Sequence, residues 1–196
     1  MTASAPSVAE SLDLIRRELD TLVERAVADA SDTETDPFAS VADLLADADR
    51  VFVVGAGRSG LALRMTAMRL MHLGLEVHVV GDVTTPAIAA GDVLLTASGS
   101  GTTGAIVRAA ESAAEAGARI AAITTAADSP LADLATAVVV VPAADKLDRS
   151  GTASAQYAGG LFEQLVVVLG DALFHTLWKR SGASADDLWP RHANLE

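Results

Sequence analysis

The sequence predicts an α/β protein in which a doubly wound parallel sheet is covered by helices. Five short apolar runs, rich in β-branched residues, alternate with segments of helical periodicity. Apart from His78 in the second run and a terminal threonine in two others, the runs are continuously apolar, as in strands that are buried on both faces of a parallel sheet. The 196 residues, of which 51% are hydrophobic, suffice for one domain with a full core.

Two helices are expected before the sheet. Residues 7–30 repeat apolar side chains at three- and four-residue spacing, from Leu12 to Ala26, which predicts an amphipathic helix. After a polar linker, Asp36-Pro37 is a typical helix start with Asp36 as the N-cap, and this helix is expected to end near Ala48. We expect residues 1–48 to pack on the core or on a neighbouring subunit, within a single domain over residues 1–196.

Strands and helices are then predicted in alternation. The predicted strands are 51–54, 77–80, 93–96, 120–124 and 137–141. The predicted helices are 59–73, 101–117, 130–136, which follows a cap at Asp128-Ser129-Pro130, and 157–181. Residues 143–156 are polar and suggest a mobile loop, and a short segment over 185–196 closes the chain.

Composition excludes several classes of partner. A net charge of −12 repels nucleic acid and anionic membranes, so neither is expected as a partner. With no cysteine, the chain has neither disulfides nor thiolate chemistry, and the four histidines show no metal-ligand spacing. No secretory signal and no apolar run long enough to span a bilayer is recognised, which favours a cytoplasmic protein.

Two glycine- and hydroxyl-rich loops carry the main functional signal. Gly55-Ala56-Gly57-Arg58-Ser59-Gly60 follows the first predicted strand, and Ser98-Gly99-Ser100-Gly101-Thr102-Thr103 follows the third. Small residues allow backbone N–H groups to approach a ligand, hydroxyls add donors, and a helix N-terminus adds positive potential. The two loops therefore predict that a phosphorylated small molecule is held between them.

Each loop also has a simpler interpretation. The first fits G-x-G-x-x-G, the dinucleotide fingerprint, with Asp82 after the next strand as a possible ribose-binding acid. A single nucleotide site would leave the second loop unexplained. The second loop could instead be only a capped helix start, although one serine would suffice for that.

Three side chains outside the loops are candidates for chemistry. Glu163 lies in the opening turns of the last long helix, where it could complement the helix dipole or act as a general base. His72 shares a helix face with Arg69, and it could be a hydrogen-bonded core histidine, while Arg69 could pair with a carboxylate of a neighbouring subunit. His192 belongs to a polar terminal cluster that is either solvated or docked onto another subunit.

Seven segments together resemble the 6-phospho-3-hexuloisomerase family of sugar isomerase (SIS) domain enzymes. The two loops alone are typical of the whole SIS superfamily. More specific are Met-Arg-Leu-Met-His-Leu-Gly at 68–74, Thr-Thr-Pro at 84–86 and His-Ala-Asn-Leu at 192–195. The segments are 54–60, 67–74, 80–86, 98–103, 156–157, 161–163 and 192–195.

The resemblance implies both a fold and an activity. The fold is a five-stranded parallel sheet in a three-layer αβα sandwich, similar to flavodoxin. The activity is interconversion of D-arabino-3-hexulose 6-phosphate and fructose 6-phosphate through a 2,3-enediol, without metal or cofactor. The family forms homotetramers with sites at subunit contacts, and its functional partner in formaldehyde fixation by the ribulose monophosphate pathway is hexulose-phosphate synthase.

The resemblance also assigns roles to residues. Glu163 corresponds to the base and His72 to the acid or polarising group, with His192, from the same or a neighbouring subunit, as the reserve candidate. The substrate- and phosphate-binding set is Gly57, Arg58, Ser59, Ser98, Gly99, Ser100, Gly101, Thr102 and Thr103.

Two further functions remain open at this stage. Another SIS isomerase, acting on arabinose 5-phosphate or sedoheptulose 7-phosphate, would carry the same loops. A non-catalytic sugar-phosphate sensor would bind fructose 6-phosphate without converting it. Such sensors usually carry a basic DNA-binding module, whereas residues 1–48 are acidic overall.

Overall fold

The computed structural model describes residues 5–144, 148, 150, 154–157 and 159–195. Seven α-helices and five strands are present in that part of the chain. In order they are α1 (Val8–Ser31), α2 (Pro37–Ala46), β1 (Val51–Gly55), α3 (Gly57–Leu73), β2 (Val77–Val79), β3 (Val93–Ala97), α4 (Gly104–Glu115), β4 (Arg119–Thr124), α5 (Pro130–Leu134), β5 (Ala137–Val140), α6 (Gly160–Ser181) and α7 (Ala185–Leu188). A 3₁₀ turn, Trp189–Arg191, follows α7.

The five strands form one parallel sheet in the order β2-β1-β3-β4-β5. β1 lies between β2 and β3, so that Val51 is opposite both Val77 and Val93. The strand order is that of flavodoxin-like doubly wound sheets. The predicted fold class is therefore confirmed.

Alternate side chains of the three central strands, β1, β3 and β4, enter separate cores on the two faces of the sheet. Val53 and Leu95 face one core, which α1, α2, α3 and α6 cover. Phe52 and Leu94 face the other, which is covered by α4 and α5. All five residues of β3 are buried, as the continuous apolar runs predicted. The molecule is a three-layer αβα sandwich.

Both N-terminal helices begin at a side-chain cap, and the cap at Asp36 was predicted. Ser7 and Glu10 form a capping box at α1, and the Asp36 carboxylate accepts a hydrogen bond from the Phe38 N–H at 2.8 Å. Leu22 and Ala26 of α1 are buried in the same core as α6. The two helices thus pack on the core of their own chain, and a contact with a neighbouring subunit stays a prediction.

α3 and α6 pack closely in the core. Gly170 of α6 lies against the side chain of Thr66 in α3, where an added Cβ would have no room. α6 alone among the described helices is long and apolar enough to cross a membrane, contrary to the expectation that no run would be. Half of its most apolar window is buried in the core, which is typical of the central helix of an α/β domain.

Several element boundaries differ from the predicted ones by a few residues, and two of these differences have a local reason. α4 begins at Gly104 and not at residue 101, because Gly101 adopts a left-handed conformation (φ +62°) and turns the chain first. α6 begins at Gly160 because Gly159 is also left-handed. β2 ends at Val79, one residue early. The loop predicted over 143–156 falls partly outside the described residues.

Candidate active site

A cavity of about 190 Å³ opens at the carboxyl ends of β1 and β3. The loop after β1 forms one wall, the loop after β3 forms another, and the start of α6 contributes a third. β1 and β3 flank the point at which the strand order reverses, where doubly wound sheets bind their ligands. The two loops that the sequence singled out therefore meet in one site.

The cavity brings together most of the predicted site residues, along with several that the sequence did not suggest. Gly101 and Thr102 are absent from its lining, although they shape the second loop. The predicted residues that line it are Gly57, Arg58, Ser59, Ser98, Gly99, Ser100, Thr103 and Glu163. The additional lining residues are Ala56, Ala97, Thr125, Ala144, Gly159 and Phe162.

The three helices that start at this cavity have no side-chain cap. The N-caps of α3, α4 and α6 are Ala56, Thr103 and Gly159, and none of them accepts a capping hydrogen bond through its side chain. The other α-helices of the described residues start elsewhere, and a serine or aspartate side chain caps each of them: α1, α2, α5 and α7. Uncapped N–H groups and the helix dipoles make this cavity favourable for an anion.

Hydroxyl groups of the second loop hydrogen-bond to one another within the site. Ser98 Oγ lies 3.0 Å from Thr103 Oγ1, and Ser98 is 4% exposed. Ser100 Oγ accepts hydrogen bonds from the N–H of Thr102 at 3.3 Å and from its hydroxyl at 3.0 Å. Because Thr103 makes no capping bond, a capped helix start alone does not account for this loop.

The first loop depends on a close approach of β1 and α3. An added Cβ on Gly55 would lie 2.8 Å from the Cα of Gly60 and 2.9 Å from its backbone nitrogen. The first and last glycines of the motif therefore let α3 start directly against the strand, as glycines do in dinucleotide-binding loops. This contact sets the position of Gly57, Arg58 and Ser59 at the cavity.

Glu163 contributes the carboxylate of the site. It lies in the first turns of α6, its side chain is 18% exposed, and its Oε2 is 3.1 Å from Nε of Arg58. These two are the charged side chains of the cavity lining, and their charges cancel. The attraction for an anion thus comes mainly from N–H groups and hydroxyls, within a protein of net charge −12.

The structure places His72 away from this cavity. His72 is at the opposite end of α3 from Arg58, 14 positions later in the sequence, which corresponds to about 21 Å of helix. His72 is 5% exposed, so it is a core histidine as expected, but its Nδ1 has no hydrogen-bond partner among the described residues. Burial lowers the pKa of His72, and neighbouring His192 and Arg69 lower it further.

The C-terminal segment docks on its own chain beside His72. The rings of His192 and His72 stack with centroids 4.1 Å apart, and Trp189 lies 4.7 Å from His192. Arg191 donates a hydrogen bond to the carbonyl of His72 at 3.2 Å, which satisfies an end of α3. The cluster is exposed to solvent and also contacts α3 of its own chain, and docking onto another subunit stays a prediction.

Two other charged residues also have partners within the chain. Arg69 Nε is 3.6 Å from Asp171 Oδ1, and its guanidinium lies 5.4 Å from the centre of the Phe174 ring, so its acidic neighbour belongs to the same chain. Asp82, the possible ribose-binding acid, pairs with Arg64 at 3.0 Å. Neither aspartate lines the cavity.

Sequence reasoning missed Thr125, although a signal for it existed. Thr125 directly follows β4, and it is anchored by its N–H and hydroxyl to the carbonyl of Gly99 at 2.9 and 2.8 Å. A hydroxyl at the carboxyl end of a parallel strand next to β3 is a candidate by position alone.

Among the described residues, no group of three or more His, Asp or Glu side chains could hold a metal ion.

The fold and the cavity define a class of protein. The sheet has the order 2-1-3-4-5, with glycine- and serine-rich loops at the point where the strand order reverses. The family model described as SIS domain matches residues 44–162, and the chain belongs to that family.

Within the family, the chain is similar to proteins named 3-hexulose-6-phosphate isomerase. It is 58% identical to the Mycobacterium gastri protein of that name, over 89% of this chain and 88% of the other. It is 35% identical to the Bacillus subtilis protein of the same name, over 80% and 85% of the two chains. A Methanococcus jannaschii crystal structure, described as inferring a function of 3-hexulose-6-phosphate isomerase, superposes with a TM-score of 0.76 at 27% identity, over 95% of this chain and 99% of that one.

Proposed function

We propose that the protein is a 6-phospho-3-hexuloisomerase, which interconverts D-arabino-3-hexulose 6-phosphate and fructose 6-phosphate. The observation that carries this proposal is a cavity that combines an anion cradle with one carboxylate, in a chain 58% identical to a protein named 3-hexulose-6-phosphate isomerase. A phosphosugar needs both features. The cradle would bind the phosphate and the carboxylate would act on the sugar.

The phosphate is expected to lie between the two loops. Hydroxyls of Ser59, Ser98, Ser100 and Thr103 would donate to it, together with uncapped N–H groups at the starts of α3 and α4. Gly101 and Thr102 would contribute through the backbone conformation of their loop. Binding the phosphate far from the reacting carbons orients the sugar and supplies binding energy for the reaction.

Glu163 is proposed as the base. The C3 ketone acidifies the proton on C2, and the carboxylate removes that proton to give a 2,3-enediol. Return of a proton to C3, with loss of the proton on O2, gives the C2 ketone, so one base serves both transfers. Its ion pair with Arg58 at 3.1 Å supports this role, because it holds the carboxylate at the cavity wall.

A second polar group would move protons between O2 and O3, and we propose that a neighbouring subunit supplies it. His72 and His192 are too far from Glu163 along their own chain to act there. His192 is exposed and His72 is covered by it, which favours His192 for reaching a neighbour. Exposed Leu61, Met65 and Met68 on α3 are suited to a contact between copies in a homotetramer.

The test is the isomerase assay, with fructose 6-phosphate read through a coupled dehydrogenase and no metal added. We expect rapid turnover by the natural chain, and loss of about 10²–10⁴ in kcat for Glu163→Gln with little change in affinity for fructose 6-phosphate. Glu111→Gln, on the exposed face of α4, is the matched control and should keep full activity. Near-normal turnover by Glu163→Gln would remove Glu163 from the mechanism.

The same assay separates the alternatives. No turnover, with fructose 6-phosphate still bound, would move the assignment to a sugar-phosphate sensor, or to an isomerase of arabinose 5-phosphate or sedoheptulose 7-phosphate. In the proposed setting the protein works in the cytoplasm, without a cofactor, after hexulose-phosphate synthase. Neither nucleic acid nor membrane is an expected partner for a chain of net charge −12.

A further inference from the structure

A carboxylate of the N-terminal helix holds the segment that leads into α6. Glu18 of α1 accepts hydrogen bonds from the Ser154 hydroxyl at 2.8 Å, the Ala155 N–H at 2.7 Å and the Gln156 side-chain amide at 3.0 Å. More than 130 residues separate Glu18 from these donors. Both carboxylate oxygens are used, so a group with a single acceptor oxygen could not accept all three bonds in this arrangement.

The same segment is connected to the helix that carries Glu163. The side chains of Gln156 and Gln164 exchange two hydrogen bonds, of 2.8 and 3.3 Å. Gln164 is the residue after Glu163, and α6 starts at the left-handed Gly159 without a side-chain cap. The pair of glutamines therefore ties the start of α6 to the segment before it.

We propose that Glu18 is a positioning residue of the active site, which holds the first turn of α6 through Gln156 and Gln164 so that Glu163 faces the cavity. The proposal rests on the role given above to Glu163. It assigns the N-terminal helix a part in the activity as well as in packing.

α1 is suited to be the fixed end of this connection. Its Leu22 and Ala26 are buried with α6 in the core, so α1 does not need Glu18 in order to dock. Arg17 and Arg25 line the same groove as Glu18. Partial burial opposes ionisation, but the hydrogen bonds from Ala155, Gln156 and Ser154 outweigh it and lower the pKa of Glu18.

The test compares Glu18→Gln with Glu24→Gln, an exposed residue of the same helix that loses the same charge. Glu18→Gln turns one acceptor oxygen into an NH₂ group that faces donors. We expect kcat to fall roughly ten- to hundredfold, because small misplacements of a reacting group are costly, with KM changed by less than about threefold. Glu24→Gln should match the natural chain, and Glu18→Asp, which keeps both oxygens, should recover part of the rate.

A second readout does not depend on turnover. Amide hydrogen exchange over residues 154–164 should accelerate at least about tenfold in Glu18→Gln and remain unchanged in Glu24→Gln, since local protection follows local stability. Gln164→Leu added to Glu18→Gln should lower kcat little further, because both residues act through one connection.

The outcomes distinguish this proposal from the proposed function. If the natural chain turns over substrate and Glu18→Gln keeps its kcat, or the two substitutions lower kcat independently, the positioning role is refuted. If the natural chain does not turn over the sugar, the proposed function fails, and the exchange comparison still decides whether Glu18 orders the start of α6. Unchanged exchange would refute the proposal in either case.

Discussion

Replacing Gly55 by alanine tests the close approach of β1 and α3 that shapes the proposed phosphate site. The new Cβ would lie 2.8 Å from Cα of Gly60, whereas ordinary contacts begin near 3.4 Å, so strand and helix must separate by the difference, 3.4 − 2.8 = 0.6 Å. The atoms it meets are backbone, and no side-chain rotation relieves the clash. Gly55 has no positive φ, so the effect comes from this contact alone.

The expected cost follows from that displacement. Overpacking of this kind lowers the free energy of unfolding by about 1–3 kcal/mol. In a chain of this size each kcal/mol corresponds to about 2–4 °C in Tm, so we expect a decrease of about 2–12 °C. The loop that carries Ser59 moves with the start of α3, and we expect roughly tenfold weaker binding of fructose 6-phosphate, since a misplacement of ~1 Å can cost about a hundredfold.

The assay is differential scanning calorimetry together with titration calorimetry of fructose 6-phosphate. Gly182→Ala is the matched control, because Gly182 ends α6 at φ +69° with no atom within 4 Å of an added Cβ. The free energy of unfolding of Gly182→Ala should fall by about 1–2 kcal/mol, because alanine is strained in the left-handed conformation. Its affinity for the sugar phosphate should not change. If Gly55→Ala melts within about 1 °C of the natural chain and binds normally, the close approach does not set the site.

Two further predictions concern the phosphate loop and the C-terminal segment. Ser98→Ala should raise KM about tenfold with kcat little changed, since a hydrogen bond to a charged group is worth about 1.5–3 kcal/mol and the phosphate is bound before and during the reaction. Steady-state kinetics measure this, with exposed Ser112→Ala as control, and an unchanged KM would contradict it. Burial lowers the pKa of His72 below 6.5, so folding favours the neutral ring. The resulting stabilisation of the folded chain is fully present above the pKa of His72 in the unfolded chain. It is lost as the pH falls from there through the pKa in the folded chain. Fluorescence of Trp189 in a Trp178→Phe background should therefore change as the pH falls from about 7.5 to 5. A signal that does not change would refute the coupling between protonation of His72 and docking of the C-terminal segment.

The fold could be predicted because its signals are local. Strands buried on both faces leave continuous apolar runs such as 93–97, and caps such as Asp36 and Ser129 mark helix starts within a few residues. The phosphate loops could be found for the same reason, since a strand followed by glycines and hydroxyls is a contiguous pattern. Boundaries failed where one glycine, such as Gly101, turns the chain by its own conformation.

The rest of the site depends on contacts that no local pattern records. Glu18 and Ser154 are 136 residues apart, and Arg191 and the carbonyl of His72 are 119 apart. Nothing near His192 in the sequence indicates that it stacks on His72 of the same chain. α3 carries Arg58 near its start, beside Glu163, and His72 near its end, where His192 stacks on it. The length of α3 therefore keeps Glu163 away from both histidines.

The uncapped starts of α3 and α4 would couple the stability of the molecule to its proposed ligand. Their N–H groups hydrogen-bond to water in the unliganded protein, and a bound phosphate ester would accept stronger hydrogen bonds from them. A ligand that binds only the folded state at a hundred times its dissociation constant adds about 2.7 kcal/mol to the free energy of unfolding. In a cell that degrades transiently unfolded chains, the lifetime of this protein would then rise with the supply of sugar phosphate, so that abundance follows metabolic demand without any dedicated regulator.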